Sequence, residues 1–176
     1  MTLPGLDFSQ AEPSQPQVLW IGCSDSSFEE IAALGLRADE TIVLRNIGNI
    51  FLSDGPTCLS TGHYALHVVK VKHVVVCGHY GCALVKADSN VGLGDPWRSK
   101  LDILRSECGA KLNGLPADDR DRRFVELNVL AQMQVLAEIP EVAAAIHSRG
   151  LKIHGMVYNP TTNKVVRLEA EEPAAH

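Results

Sequence analysis

The sequence has no run of basic residues, no apolar stretch near the roughly 20 residues that cross a bilayer, and few aromatics, at 5%. Lys and Arg total 16 against 21 Asp and Glu, a net charge of −5, so neither nucleic acid nor an anionic membrane surface is an expected partner. Met1–Asp7 lacks the charged and apolar regions of a secretion signal and the Arg-rich pattern of a transit peptide, which makes a cytoplasmic location the expectation. No repeat or low-complexity tract appears. Five cysteines, an odd number in a chain too long to need disulfide staples, point to reduced thiols that act as ligands or core filler. Cys58 and Cys108 read as inert thiols of that second kind.

What is present is enough apolar sequence, 45% of 176 residues, for one well-cored domain. Residues 1–17, with Pro4, Pro13 and Pro16, read as an extended arm, residues 18–168 as a single α/β domain, and residues 169–176 as a loose tail. Val18–Gly22, Thr41–Arg45 and His73–Cys77 have the β-branched, apolar character of buried strands. Helical patterns over 28–36 and 57–70 separate them, the rhythm of a parallel sheet. Further helices are predicted over 83–87, 97–112, 117–139 and 141–147, with a break at Asn90–Pro96. A strand over 151–158 then returns through Val165–Leu168 as an antiparallel edge hairpin. The expected fold is a mostly parallel, twisted sheet of about four strands plus that edge strand, with helices on both faces, in a dimer.

The chemistry concentrates at two strand ends. Cys77-Gly78-His79-Tyr80-Gly81-Cys82 follows one apolar run, and Cys23-Ser24-Asp25-Ser26-Ser27 follows another. Open α/β sheets place ligands at the carboxyl ends of their strands. Each cysteine or histidine alone reads as a core residue. Two neighbouring parallel strands would bring Cys23, His79 and Cys82 together, a Cys2His set with one position open, as in catalytic zinc sites.

Cys23-Ser24-Asp25-Ser26, Arg45-Asn46-Ile47-Gly48-Asn49, Tyr64-Ala65, Lys70-Val71-Lys72-His73, Cys77 to Cys82, Asn128-Val129 and His154-Gly155 together resemble the β-class carbonic anhydrases, in order and spacing. The resemblance covers nearly all of 18–168. It implies one Zn2+ per chain on Cys23, His79 and Cys82, with Asp25 orienting the reacting water. It further implies interconversion of carbon dioxide and bicarbonate, and a homodimer, or a tetramer, with the active site at a subunit interface.

The sequence departs from the family pattern in ways that bear on activity. The arginine that clamps the aspartate is replaced by Ser27. A serine cannot form the bidentate fork, so low activity is expected, Asp25 becomes a possible fourth metal ligand, and Arg45 a possible substitute cation. Phe28 could fill the space of the missing arginine. Ala83-Leu84 stands where the family commonly has two glycines, so Leu84 either narrows the entrance or packs into the core. Phe51 and Tyr64 are candidates for the apolar pocket wall. His63, His67, His147 and His154 read as satisfied helix or strand residues rather than ligands. The alternatives are hydrolysis of carbonyl sulfide or carbon disulfide at the same site, or a zinc-stabilised, non-catalytic relative that acts by binding.

Overall fold

Val18–Cys23 forms β1, a strand buried along its whole length. Its side chains alternate between the two faces of the sheet: Leu19, Ile21 and Cys23 enter the larger core cluster, whereas Val18 and Trp20 enter the smaller one. The computed structural model describes residues 16–86 and 96–169. Most of the arm, the tail after Glu169, Ala87 and the break at Asn90–Asp95 lie outside the described residues.

The chain continues through α1 (Glu30–Leu34), β2 (Thr41–Asn46), α2 (Pro56–His63), β3 (His73–His79), α3 (Pro96–Glu107), α4 (Gly109–Leu112), α5 (Ala117–Glu138), α6 (Pro140–Arg149), β4 (Lys152–Asn159) and β5 (Lys164–Leu168). The sheet order is β2-β1-β3-β4-β5. The first three pairings are parallel and β4–β5 is antiparallel. The expected α/β fold, with about four parallel strands and an antiparallel edge, is the one observed. Because β1 is followed by β2 on one side and β3 lies on the other, the connections diverge above β1 and β3. That divergence opens the crevice in which α/β sheets hold ligands.

Helix α5 is the main cover of the larger cluster. Asp118 and Asp119 in its first turn suit the positive end of the helix dipole, and Pro140 follows its last turn. Its buried residues, Phe124, Val125, Leu127, Asn128, Val129, Gln132 and Leu136, mix apolar packing with two amides. The helix lies close on β3 because Gly78 has no side chain: a Cβ there would stand 2.9 Å from Val129 and 3.1 Å from Val125. The opposite face carries Phe28, Leu34, Val75, Cys77, Met156 and Tyr158 with Val18 and Trp20.

Several predicted helices differ from the observed ones for local reasons. The first begins at Glu30 rather than Phe28, because the carbonyls of Ser26 and Phe28 accept hydrogen bonds from Arg45, and Ser26 Oγ takes the Phe28 N–H. Residues 83–86 form turns instead of a helix, with the Val85 N–H returning to Cys82 and the Val85 carbonyl accepting from Arg105. The long helix over 97–112 is divided at Cys108 into α3 and α4. The helix over 57–70 is α only to His63 and continues as a π-helix over Tyr64–Val69. It ends where Lys70 takes a left-handed conformation, φ 60°.

At the amino end of β3 and within β4, His73 Nδ1 and His154 Nε2 lie 3.1 Å apart and buried. Burial first, then the nearby charges of His73, Arg167 and Lys152, hold His154 down at about 4.

Two stability predictions follow from this packing. Phe124 is fully buried under the Arg105 guanidinium, so Phe124→Ala should lower stability by about 3–5 kcal/mol, read as a fall in the urea midpoint. From about pH 6.5 down to 4 the unfolded chain takes up a proton that folded His154 resists. Stability should therefore fall with pH through this window, by about 2 kcal/mol at pH 5 from this group. The drop between pH 7 and pH 5 should be smaller in His154→Gln; an equal drop in the two proteins would refute the assignment.

Candidate metal centre

Two strand ends and one turn build the site. Cys23 is the last residue of β1 and His79 the last of β3, and the parallel pairing of these strands, Gly22 opposite Cys77, sets the two ends side by side. Cys82 follows in a tight turn whose Gly81 has φ 75°, a conformation that favours glycine. The Cys23 Sγ, one His79 ring nitrogen and the Cys82 Sγ all lie within 4.8 Å of one another, and all three residues are buried. The two sulfurs are 3.6 Å apart.

His79 Nε2 is buried and has no hydrogen-bond partner. A buried imidazole nitrogen left unpaired is costly, and here it faces two thiols. The hydrogen bond from the Cys82 thiol, with further help from His79 and the backbone at Asp25, outweighs burial and holds the Cys23 thiol down at about 5. The same bond, with burial, pushes Cys82 up. The pair thus holds one proton between two sulfurs, which a soft or borderline cation can replace. Two thiolates and one imidazole are a donor set that fits zinc.

Asp25 stands beside this cluster, partly exposed. Its Oδ2 is 3.9 Å from His79 Nε2 and accepts a 2.8 Å hydrogen bond from the Ala83 N–H. A backbone amide on the Cys82 turn therefore holds the carboxylate. Ser27 is exposed and, among the described residues, makes no hydrogen bond to Asp25.

The structure corrects the expectation that Arg45 substitutes for the missing clamp. Its guanidinium donates to the carbonyls of Cys23 (3.0 Å), Ser26 (3.2 Å) and Phe28 (2.7 Å) and pairs with Glu30. Glu30 is buried, and a buried carboxylate requires such a partner. Arg45 thus fastens the loop that carries Asp25 by its backbone, leaving the Asp25 side chain to Ala83.

Other predicted pocket residues have different surroundings. Phe28 is packed between Trp20 and Tyr158, with ring centres 5.6 and 4.6 Å away, in the smaller core cluster. Leu84 is half-buried against the larger cluster, and Phe51 is buried within it. Tyr64 is 51% exposed on the π-helical segment.

Sequence reasoning missed the supports. Gln132 on α5 accepts the Phe51 N–H at 3.0 Å and donates to Asn128, which holds the Gly48 carbonyl at 2.7 Å. Together they anchor the loop after β2. Tyr80, inside the turn between His79 and Cys82, donates to Glu126 at 2.7 Å, and Arg122 lies over its ring at 4.1 Å. Polar residues at core positions of α5 were the available signal for Asn128 and Gln132. Glu30, on a short helix, carried none.

Comparison with known proteins places this geometry. The carbonic anhydrase family profile matches residues 18–165. The chain is 36% identical over 155 residues to a carbonic anhydrase of Emericella nidulans, covering 85% of this chain and 68% of that protein. Its structure superimposes on wild-type CafD, a β-carbonic anhydrase of Aspergillus fumigatus, with a TM-score of 0.82 at 42% identity, covering 96% and 95% of the two chains. It also superimposes on tetrameric β-carbonic anhydrases of Sordaria macrospora, with a TM-score of 0.78 at 32% identity over 89% of this chain and 82% of that one. With the fold, the Cys-His-Cys cluster and these relatives in agreement, the chain belongs to the β-class carbonic anhydrases, a family of lyases.

Proposed function

We propose that this chain catalyses the reversible hydration of carbon dioxide to bicarbonate and a proton, slowly, with one zinc ion per chain on Cys23, His79 and Cys82. The observation that carries the reading is the buried His79 Nε2, unpaired and clustered with two cysteine sulfurs 3.6 Å apart, with a carboxylate at 3.9 Å. Zinc bound there supplies Lewis acidity, which brings the pKa of a water toward neutrality.

The chain's own residues do the rest. Cys23 and Cys82 present thiolate sulfur, and strand β3 fixes the His79 ring at its carboxyl end. Asp25 accepts a hydrogen bond from the reacting water and so turns a lone pair toward the substrate carbon. The Ala83 N–H limits where the carboxylate can swing. A single neutral N–H constrains it less than a guanidinium fork does. Asp25 would therefore be free to turn from orienting the water to acting as a fourth ligand to a bound zinc, which would block the reaction and make the chain slow. The reading includes a homodimer or tetramer, supported by the tetrameric Sordaria relatives, and a cytoplasmic location, which is the expectation from the sequence alone.

The test is stopped-flow hydration of carbon dioxide at neutral pH on zinc-loaded protein. The natural chain should be slow and Ser27→Arg at least about tenfold faster, a gain of about 1.4 kcal/mol in transition-state stabilisation; inactivity of both with zinc in place would end the anhydrase reading. Loss of a ligand is measured separately. Because changes to groups that merely support ligands cost 10–100-fold in metal affinity, Cys82→Ser should weaken zinc binding by at least ~100-fold in competition with a chromogenic chelator.

A further inference from the structure

Two histidines outside the cluster remain without a role in this chemistry. His63 is the last residue of α2, and His67 lies four residues on, in the π-helical segment. Both are exposed. Their rings are 4.7 Å apart, with planes 30° from parallel. Among the described residues neither ring takes part in a hydrogen bond, unlike His147, whose Nδ1 lies 2.7 Å from the Ala143 carbonyl.

We propose that His63 and His67 form a second site for a divalent transition metal, independent of the Cys23–His79–Cys82 cluster. Histidines four apart on one helical face are a recurrent chelating arrangement for such ions. Two imidazoles on one metal at Zn–N distances of about 2.0–2.1 Å have ring centres roughly 5 Å apart, close to the separation found here. Unprotonated imidazole is a borderline-soft donor that suits zinc, copper and nickel.

The surroundings add a charge and a rigid base. Both rings open on a cavity of ≈ 220 Å³ that Glu141, in the first turn of α6, also lines. Glu141 thus gives the cavity one negative charge, which favours a cation there. The backbone beneath is fixed. Gly62 packs so near Phe51 that a Cβ would come within 3.2 Å of the ring. Arg149 donates to the carbonyls of Leu66 (3.4 Å) and Lys70 (3.3 Å) and to that of Val71. Single π-helical turns occur often at functional sites, and His67 lies in one whose end Arg149 holds through these carbonyls.

The experiment is equilibrium dialysis of the full chain against Zn2+ alone, with bound metal counted by atomic absorption. The wild-type chain should hold two equivalents, the second the weaker. His63→Gln and His67→Gln should each hold one, with at least tenfold loss at the second site, and Glu141→Gln should weaken it several-fold. Cys82→Ser should show the opposite pattern, losing the tight equivalent and keeping the weak one, so that failure of the cluster and failure of this site are distinguishable. A single equivalent in the wild type, or two in both histidine variants, overturns the proposal, and circular dichroism on each variant separates misfolding from loss of a ligand.

Discussion

Everything at this centre depends on the parallel pairing of β1 with β3. The pairing is backbone hydrogen bonding, but its register is set by burial on both faces: a slip of one residue would send Leu19 and Ile21 into the smaller core and Val18 and Trp20 into the larger one. With Gly22 opposite Cys77, the two strands end together and point Cys23 and His79 at the same crevice. Cys82 needs only the short turn through Gly81 to join them. The hydrophobic effect, acting on residues that never touch a ligand, thereby positions three polar ones.

Polar groups then hold what the core positions. Arg45 binds three carbonyls of the 23–28 loop and the buried Glu30, so the segment after Cys23 has one shape. Asn128 and Gln132 do the same for the segment after β2, from a helix that Gly78 allows to lie close. Tyr80, pinned by Glu126 and Arg122, ties the turn between His79 and Cys82 to that helix. Removing either side of such a buried contact leaves its partner unpaired, which is why these supports matter beyond their count.

The substitution at Ser27 is the point at which this chain parts from the resemblance it carries. A guanidinium offers two parallel, charged donors to a carboxylate. The Ala83 N–H offers one, uncharged. Asp25 is thus held by one N–H rather than a fork, and the slow hydration proposed above rests on that difference. Arg45, the nearest alternative by sequence, is committed to Glu30 and to the loop backbone, because a buried carboxylate cannot be left alone.

The strands, the Cys-His-Cys set and the α/β class were legible in the sequence, since apolar runs such as Val74-Val75-Val76 declare buried strands and a cysteine or histidine at their ends declares its own chemistry. The long helix over 117–138 was equally plain from its spacing and its terminal Asp and Pro residues. What the sequence could not settle was who satisfies whom. The late start of α1, the turns that replace a helix after Cys82, the Ala83 anchor of Asp25 and the partner of Arg45 all arise from groups far apart in the chain competing for the same hydrogen bonds. Local pattern reports which residues seek burial or carry charge; only the folded chain decides, through distance and desolvation, which donor reaches which acceptor first.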